Sequence, residues 1–318
     1  MNNKIKIKIR KLKNSNIIID KAYGFISRLR INLNKTMSDD EYLKIRYKEN
    51  MGKTLNLNNP QTFNEKLQWL KLHNRNPMYT QLVDKNNVRD YVKEKVEDNI
   101  LIPQYGVWGK FEDIDFEILP NQFVLKATHD CGSIFICKNK NEFDFNAANK
   151  KLSKALKRNY YYVGREWPYK NVQPRIIAEQ YIEEAESNEL KDYKFFCFDG
   201  KVKLVFVASD RFNSNEGTKF DFFDTKFNHL PIINGYPNSK KVIEKPVNFN
   251  KMINIAETLS KGIPHVRVDL YNANGKIYFG EMTFFHFGGM MPFEPEEWDF
   301  KLGEWINLEE ISWFYIEV

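Results

Sequence analysis

The chain has 318 residues, of which 42% are hydrophobic and 15% aromatic, enough to bury a sizeable core in one or two domains. Its net charge of +6 equals the six cations Lys4, Lys6, Lys8, Arg10, Lys11 and Lys13 that precede the first acid, Asp20, so the body is neutral and argues against a nucleic-acid-binding surface. Three cysteines lack a metal-ligand spacing or a disulfide framework, no apolar run nears the roughly 18 residues of a membrane span, and no apolar h-region follows the basic start, so a cytoplasmic setting is expected.

Residues 1–14 alternate Lys with Ile, and Ile17, Tyr23, Ile26 and Leu29 mark an amphipathic helix within 16–33. Residues 1–37 are therefore expected as a basic tail and helix, docked on the body or resting weakly on an anionic membrane surface through residues 1–14. Ser38-Asp-Asp-Glu41 and Thr62-Phe-Asn-Glu65 are capping-box patterns. A third helix is expected over Tyr79–Val96, making 38–105 a helical region. Strands follow at Phe123–Thr128 and Ile134–Lys138 around the loop His129–Ser133, then a helix near Asn146–Lys157 and a buried strand at Arg175–Ile182. Asp199-Gly200 joins Tyr193–Phe198 to Lys201–Val207 as a hairpin. A strand over Phe220–Phe227 precedes a helix over Asn250–Lys261, stopped by Gly262 and Pro264. Antiparallel hairpins beside few helices predict an α+β fold.

The stretch His265–Thr283 is a second hairpin, around Asn272-Ala-Asn-Gly275. A three-residue loop with Gly275 in a left-handed bulge would set Phe279 opposite Asp269 and Glu281 opposite Arg267. Alternation then puts Arg267, Asp269, Glu281 and Thr283 on one face, with Val266, Val268, Leu270, Tyr278 and Met282 facing the core. An even-numbered loop would split the two acids between faces. Two carboxylates on one face, roughly 7–8 Å apart on the diagonal, can share Mg²⁺, which takes oxygen ligands and bridges to phosphate; a solvated hairpin face is the alternative.

Lys126 lies inside an apolar strand, where an ammonium needs an anion or a carboxylate partner. Lys194 repeats that pattern. The loop ending at Ser133 could turn backbone N–H groups toward phosphate, although one glycine also suits an ordinary turn. His129, His265 and His286 have no metal-ligand spacing, and Ser133 has no histidine partner for nucleophilic catalysis. Asp113-Ile-Asp115 has the acidic spacing that metal-dependent glycosyltransferases use, but no β-α-β unit precedes it.

In order, these pieces resemble the TupA-like ATP-grasp family of bacterial polysaccharide gene clusters, over roughly residues 38–308. The resemblance rests on Phe63–Lys71, Val83-Asp-Lys85, Phe123–Asp130, Gly164–Lys170, Ile177–Tyr181, Asp192–Phe198, Ser209-Asp-Arg211 and Gly262–Thr283. It implies an ATP-grasp fold, two α+β subdomains clasping ATP, with a lid at 106–180 and a core at 181–318 behind the helical region. By position it makes Lys85 and Lys126 the phosphate-contacting lysines and the loop to Ser133 a flap. Glu179, Gln180 and Ile182 fall at the adenine and ribose, and Lys194 beside the nucleotide. Asp269 and Glu281 become the Mg²⁺ ligands, and Arg267 the arginine over the reacting acyl phosphate. Thr283 stands where an Asn usually completes the metal set. The implied activity is a carboxylate–amine ligase using ATP and Mg²⁺, joining a carboxylate such as a uronic acid or sugar-linked acid to an amine acceptor in capsular or cell-surface polysaccharide biosynthesis. A glycosyltransferase of such a cluster and a non-catalytic nucleotide-binding module are the alternatives.

Overall fold

The computed structural model describes residues 35–184, 190–210 and 217–312. The expected basic tail and amphipathic helix of 1–37 lie almost wholly outside the described residues.

Four helices open the described chain: α1 (Asp39–Met51), α2 (Phe63–His73), α3 (Met78–Val83) and α4 (Val88–Lys95). Both capping patterns act as caps. The Ser38 hydroxyl accepts from the Glu41 N–H, and Thr62 and Glu65 close a reciprocal box that satisfies two otherwise orphaned N–H groups. The single helix expected over Tyr79–Val96 is instead broken at Asp84, whose backbone is extended. The Asp84 carboxylate accepts from the N–H groups of Asn86 and Asn87, offering the chain a local turn in place of helix. The break frees the Lys85 N–H to donate to Thr128 O at 3.1 Å.

The first sheet contains β1 (Gln104–Trp108), β2 (Phe123–Ala127) and β3 (Ile134–Cys137), joined after α5 (Phe145–Leu156) and the single turn α6 (Tyr161–Gly164) by β4 (Ile176–Gln180). The strand order is β1-β4-β2-β3, antiparallel throughout. It has its own core, in which Phe123, Leu125, Ile176 and Ala178 meet Ala148 and Leu152 of α5 and the ring of Phe143.

The second sheet is built from β5 (Asp192–Phe198), β6 (Lys201–Ser209), β7 (Lys219–Phe223), β8 (His229–Leu230) and, after the short β9 (Ile233–Asn234) and α7 (Phe249–Ser260), the long hairpin β10 (His265–Ala273) and β11 (Lys276–Thr283). Its order is β11-β10-β5-β6-β7-β8. The strand expected over Phe220–Phe227 stops at Phe223, because Asp224 accepts from the N–H groups of Lys226 and Asn228 and turns the chain. Every residue of β5 is buried, since helices cover both faces. Phe195 meets Phe249 of α7, while Phe196 and Phe198 stack edge-on with Phe63 of α2. The chain closes with β12 (Phe293–Glu294), paired to β9, then α8 (Glu297–Glu304) and α9 (Glu309–Ser312). The helical region from residue 38 keeps only a small cluster of its own around Tyr42, Leu43 and Tyr47; Phe63, Leu67, Leu70, Leu82 and Val92 belong to the core of the large sheet.

Candidate active site

The hairpin β10–β11 departs from the expected register in two compensating ways. Its turn has two residues, Asn274 and Gly275, both left-handed at φ 51° and 73°, because Ala273 pairs with Lys276. An even loop alone would send the two acids to opposite faces. Between Leu270↔Phe279 and Asp269↔Glu281, however, β11 carries one extra residue, Gly280. This β-bulge restores the shared face and sets Glu281 opposite Asp269, and Thr283 opposite Arg267. Only glycine fits there without displacement, since a Cβ on Gly280 would sit 3.0 Å from the Asp269 carbonyl oxygen and 3.2 Å from the Tyr271 ring. The slip also exchanges the core residues near the turn: Ile277 and Phe279 are buried, whereas Tyr278 is half-buried.

On this face the sheet changes from apolar to charged. Pairing of β10 with β5 sets His265 against Phe198, Arg267 against Phe196, and Asp269 against Lys194. Arg267 grips Asp269 with two parallel bonds, Nε to Oδ1 at 2.6 Å and Nη2 to Oδ2 at 2.7 Å. Lys194 donates to the same Oδ2 and reaches Asp192 at 2.6 Å. Burial opposes the charge on Arg267, but Asp269 and Glu281 raise its pKa above the ordinary range, so it stays a cation. Glu281 lies 3.7 Å from both Arg267 Nη2 and Lys85 Nζ. Burial alone would lift its pKa; Lys85, Lys194, Arg267 and Lys126 overcome that and hold it at about 2. Asp269 has 1% of its side chain accessible and Glu281 33%, so Glu281 is the carboxylate open to a ligand.

The loop after β2 and the small sheet bring further polar groups to this face. Lys85 Nζ donates to the Asp130 carbonyl at 2.6 Å, tying the helix break to the loop after β2. Within that loop the Ser133 hydroxyl donates to Asp130 Oδ2 at 2.6 Å, and Arg158 braces the same oxygen at 2.9 Å. Lys126 finds a carboxylate, Glu179 Oε2, at 2.6 Å, and Arg89 approaches the other Glu179 oxygen at 3.4 Å. The adjacent Gln180 is exposed, its N–H donating to Pro103 O, and Ile182 is half-buried where the chain leaves the small sheet. Lys85, Lys194, Arg267, Asp269 and Glu281 thus meet around one point, with Lys126 close enough to bias Glu281. Glu179 and Ser133 are engaged by protein partners. Asp113 ends a 3₁₀ turn and Asp115 follows it, both exposed.

The TupA-like ATPgrasp family matches residues 65–307, a slightly narrower span than the sequence motifs suggest. The chain belongs to that family. No curated protein matches it. Similar solved structures include the D-alanine–D-alanine ligase of Bacillus anthracis complexed with ATP, at 19% identity and TM-score 0.39, covering 65% of this chain and 57% of that one. The L-amino acid ligase of Bacillus licheniformis overlaps at 13% identity and TM-score 0.43, covering 71% and 49%. The D-alanine–D-alanine ligase of Helicobacter pylori gives 12% and 0.41, covering 75% and 60%. The chain spans about half to three fifths of the length of these proteins. It is an α+β protein of the ATP-grasp fold, assigned through the family match.

Members of the ATP-grasp family are expected to use Mg²⁺, and the donor set suits it in kind. Glu281 is ionised, accessible and has no donor nearer than Thr283 Oγ1 at 3.5 Å. Among the described residues no three His, Cys, Asp or Glu side chains gather as a cage. A cation here would rest first on Glu281, and Asp269, whose two oxygens are held by Arg267 and Lys194, would have to release one of them; phosphate oxygens and water would complete the shell that Mg²⁺ favours.

Several contributors were beyond sequence reasoning. His286 Nδ1 accepts from Arg267 Nη1 at 2.8 Å, and because arginine only donates, the proton sits on Nε2, which donates to Asn234 Oδ1 at 2.8 Å. Asn234 is oriented in turn by donating to the carbonyls of Met291 and Pro292. Arg89 and Asn234 join the site through pairing across 90 and 52 residues and His286 across 19, whereas Asp192 lies two residues from Lys194 on the same face of β5, a spacing that period-two alternation does show.

Proposed function

We propose that this protein is an ATP-dependent carboxylate–amine ligase acting on a sugar-linked or uronic carboxylate during capsular or cell-surface polysaccharide synthesis. The observation that carries the reading is the convergence of Lys85, Lys194 and Arg267 on the Asp269–Glu281 face, opposite the Lys126 strand and the loop of Ser133. Such a group suits transfer of a phosphoryl group, in which the protein's contribution is positioning and charge neutralisation. Lys85 and Lys126 would hold the nucleotide phosphates, with Lys126 exchanging Glu179 for an anion. The backbone at Gln180 and Ile182 would meet the adenine and ribose, with Glu179 beside them. Mg²⁺ on Asp269 and Glu281 would supply neutralisation of the β- and γ-phosphate charge. Arg267, held rigid by Asp269 and His286, stands ready to stabilise negative charge on the acyl phosphate, and the loop through Ser133 shields that species from water.

The polysaccharide setting rests on the family resemblance, and the basic segment of residues 1–14 suits loose contact with the inner face of a membrane near a lipid-linked substrate. A transferase using nucleotide sugars finds no support at Asp113 and Asp115. The direct test is an assay of Mg²⁺·ATP with a panel of uronic, dicarboxylic and amino acids, with hydroxylamine as the trap. ADP release that requires both an acid and Mg²⁺, with a hydroxamate product, is expected. Release of UDP from a UDP-sugar without ATP would overturn the reading.

A further inference from the structure

One buried carboxylate beside this site has no role in the phosphoryl step. Glu166 follows α6, and its side chain folds toward the turn after β11, where the backbone of Phe287 and Gly288 is left-handed. A Cβ on Gly288 would lie 3.6 Å from Glu166 Oε1 and 3.9 Å from Lys71 Nζ, so the acid and the ammonium look onto the same point. They do not form an ion pair among the described contacts. Lys71, 1% exposed, is committed elsewhere: it donates to Gly288 O at 2.7 Å and Gln68 Oε1 at 3.0 Å. Among the described residues no protein donor reaches the Glu166 carboxylate, and the residue is half-buried.

Two aromatic rings complete the surroundings. Tyr160 and Tyr169 pack edge-to-face with centroids 5.0 Å apart, and both phenols feel the Glu166 charge. Tyr169 follows Glu166 by three residues, its N–H donating to the Glu166 carbonyl at 3.1 Å. Arg267 is tied to the same turn, because its partner His286 begins the segment that carries Gly288. A carboxylate without a hydrogen-bond donor, with a pair of packed tyrosine rings in the segments next to it, is the chemistry that receives an ammonium group.

We infer that Glu166, Tyr160 and Tyr169 form the acceptor subsite, where Glu166 binds a primary ammonium and removes its proton; this rests on the ligase reading above. The acceptor enters as R–NH₃⁺ and gives one proton to the Glu166 carboxylate. The freed nitrogen lone pair attacks the acyl carbon, forming the C–N bond. The carbon–oxygen bond to phosphate then breaks, and the departing phosphate keeps that electron pair and takes the second nitrogen proton. The products are the amide, hydrogen phosphate and neutral Glu166. Burial raises the Glu166 pKa to about 7 against the pull of Lys71 and Arg267, which suits a base working near neutral pH.

The test compares Glu166→Gln with the unaltered enzyme, using the most active free acid of the panel and two nucleophiles. Glycine is protonated at neutral pH and needs a base; hydroxylamine is largely unprotonated and does not. Amide formation with glycine should fall by about 100-fold or more, the usual contribution of a general base. Hydroxamate formation should stay within about threefold of the unaltered enzyme, which also shows that the variant folds and makes the acyl phosphate. Glu166→Asp should recover part of the glycine rate. Equal losses with both nucleophiles, or no loss with either, would overturn the assignment. Absence of hydroxamate from the unaltered enzyme would instead overturn the ligase reading, and the subsite with it.

Discussion

Glu281 and Asp269 face each other across one hairpin, yet their substitution should have different consequences. Glu281 is partly accessible but surrounded by four cations, so Glu281→Gln should lower Mg²⁺-dependent turnover by at least about 100-fold and destabilise the fold by about 1–2 kcal/mol, less than the loss at Asp269. Asp269→Asn removes the carboxylate that neutralises buried Arg267 and Lys194, and should destabilise the fold by about 3–5 kcal/mol. Urea unfolding of the two variants separates these effects; similar destabilisation in both would refute the division. Lys126→Ala should weaken ATP binding by about 1–3 kcal/mol in calorimetry, the worth of a charge-assisted hydrogen bond, while Glu179 keeps Arg89 as a partner. Unchanged affinity would remove Lys126 from the nucleotide site. The charged residues on apolar strands were legible because period-two alternation makes Lys126, Arg267, Asp269 and Glu281 stand out. Glu166 entered only as part of the Gly164–Lys170 motif and His286 only as a histidine without metal-ligand spacing; their roles were not legible, because both gain their surroundings through tertiary folding.

At the scale of elements, caps and turns dictated by local chemistry could be read directly, as at Ser38, Thr62 and Asp199-Gly200. Two local departures could not, and both shape the site. The break at Asp84 arises where a carboxylate outcompetes the helix for two N–H groups, and it delivers Lys85 to the flap. The bulge at Gly280 has no period of its own: a one-residue slip looks like an ordinary glycine in a strand. It is nevertheless what aligns the two acids. Gly280→Ala should destabilise the protein by about 1–3 kcal/mol, since the new methyl meets backbone rather than a yielding side chain, and should reduce Mg²⁺-dependent activity more than nucleotide binding. An Ala variant as stable and as active as the unaltered protein would mean the bulge is not constrained in this way.

Across the whole molecule, the α+β class and the order of elements followed from the sequence, whereas the sharing of one core between the helical region and the large sheet did not. Phe63 of α2 shows why, since its ring packs against Phe196 and Phe198 of β5, His265 of β10 and Phe293 of β12, three separate places in the chain. That cluster makes a pH prediction. His265 donates from Nδ1 to Cys197 O at 2.9 Å, and burial depresses its pKa from 6.5 to about 3. The unfolded chain therefore takes up this proton first as pH falls. The contribution of His265 to stability is full above pH 6.5 and is lost toward pH 3, by up to about 1.4 kcal/mol per pH unit. Urea titrations between pH 4 and 7 should show a shallower pH slope for His265→Gln; an identical slope would contradict it. The central claim, that ATP is spent on making an acyl phosphate from a carboxylate, is tested most directly by isotope transfer. With the substrate carboxylate labelled with ¹⁸O, turnover in the presence of amine should place one labelled oxygen in the released inorganic phosphate and none in ADP. Unlabelled phosphate, or label appearing in AMP, would contradict it.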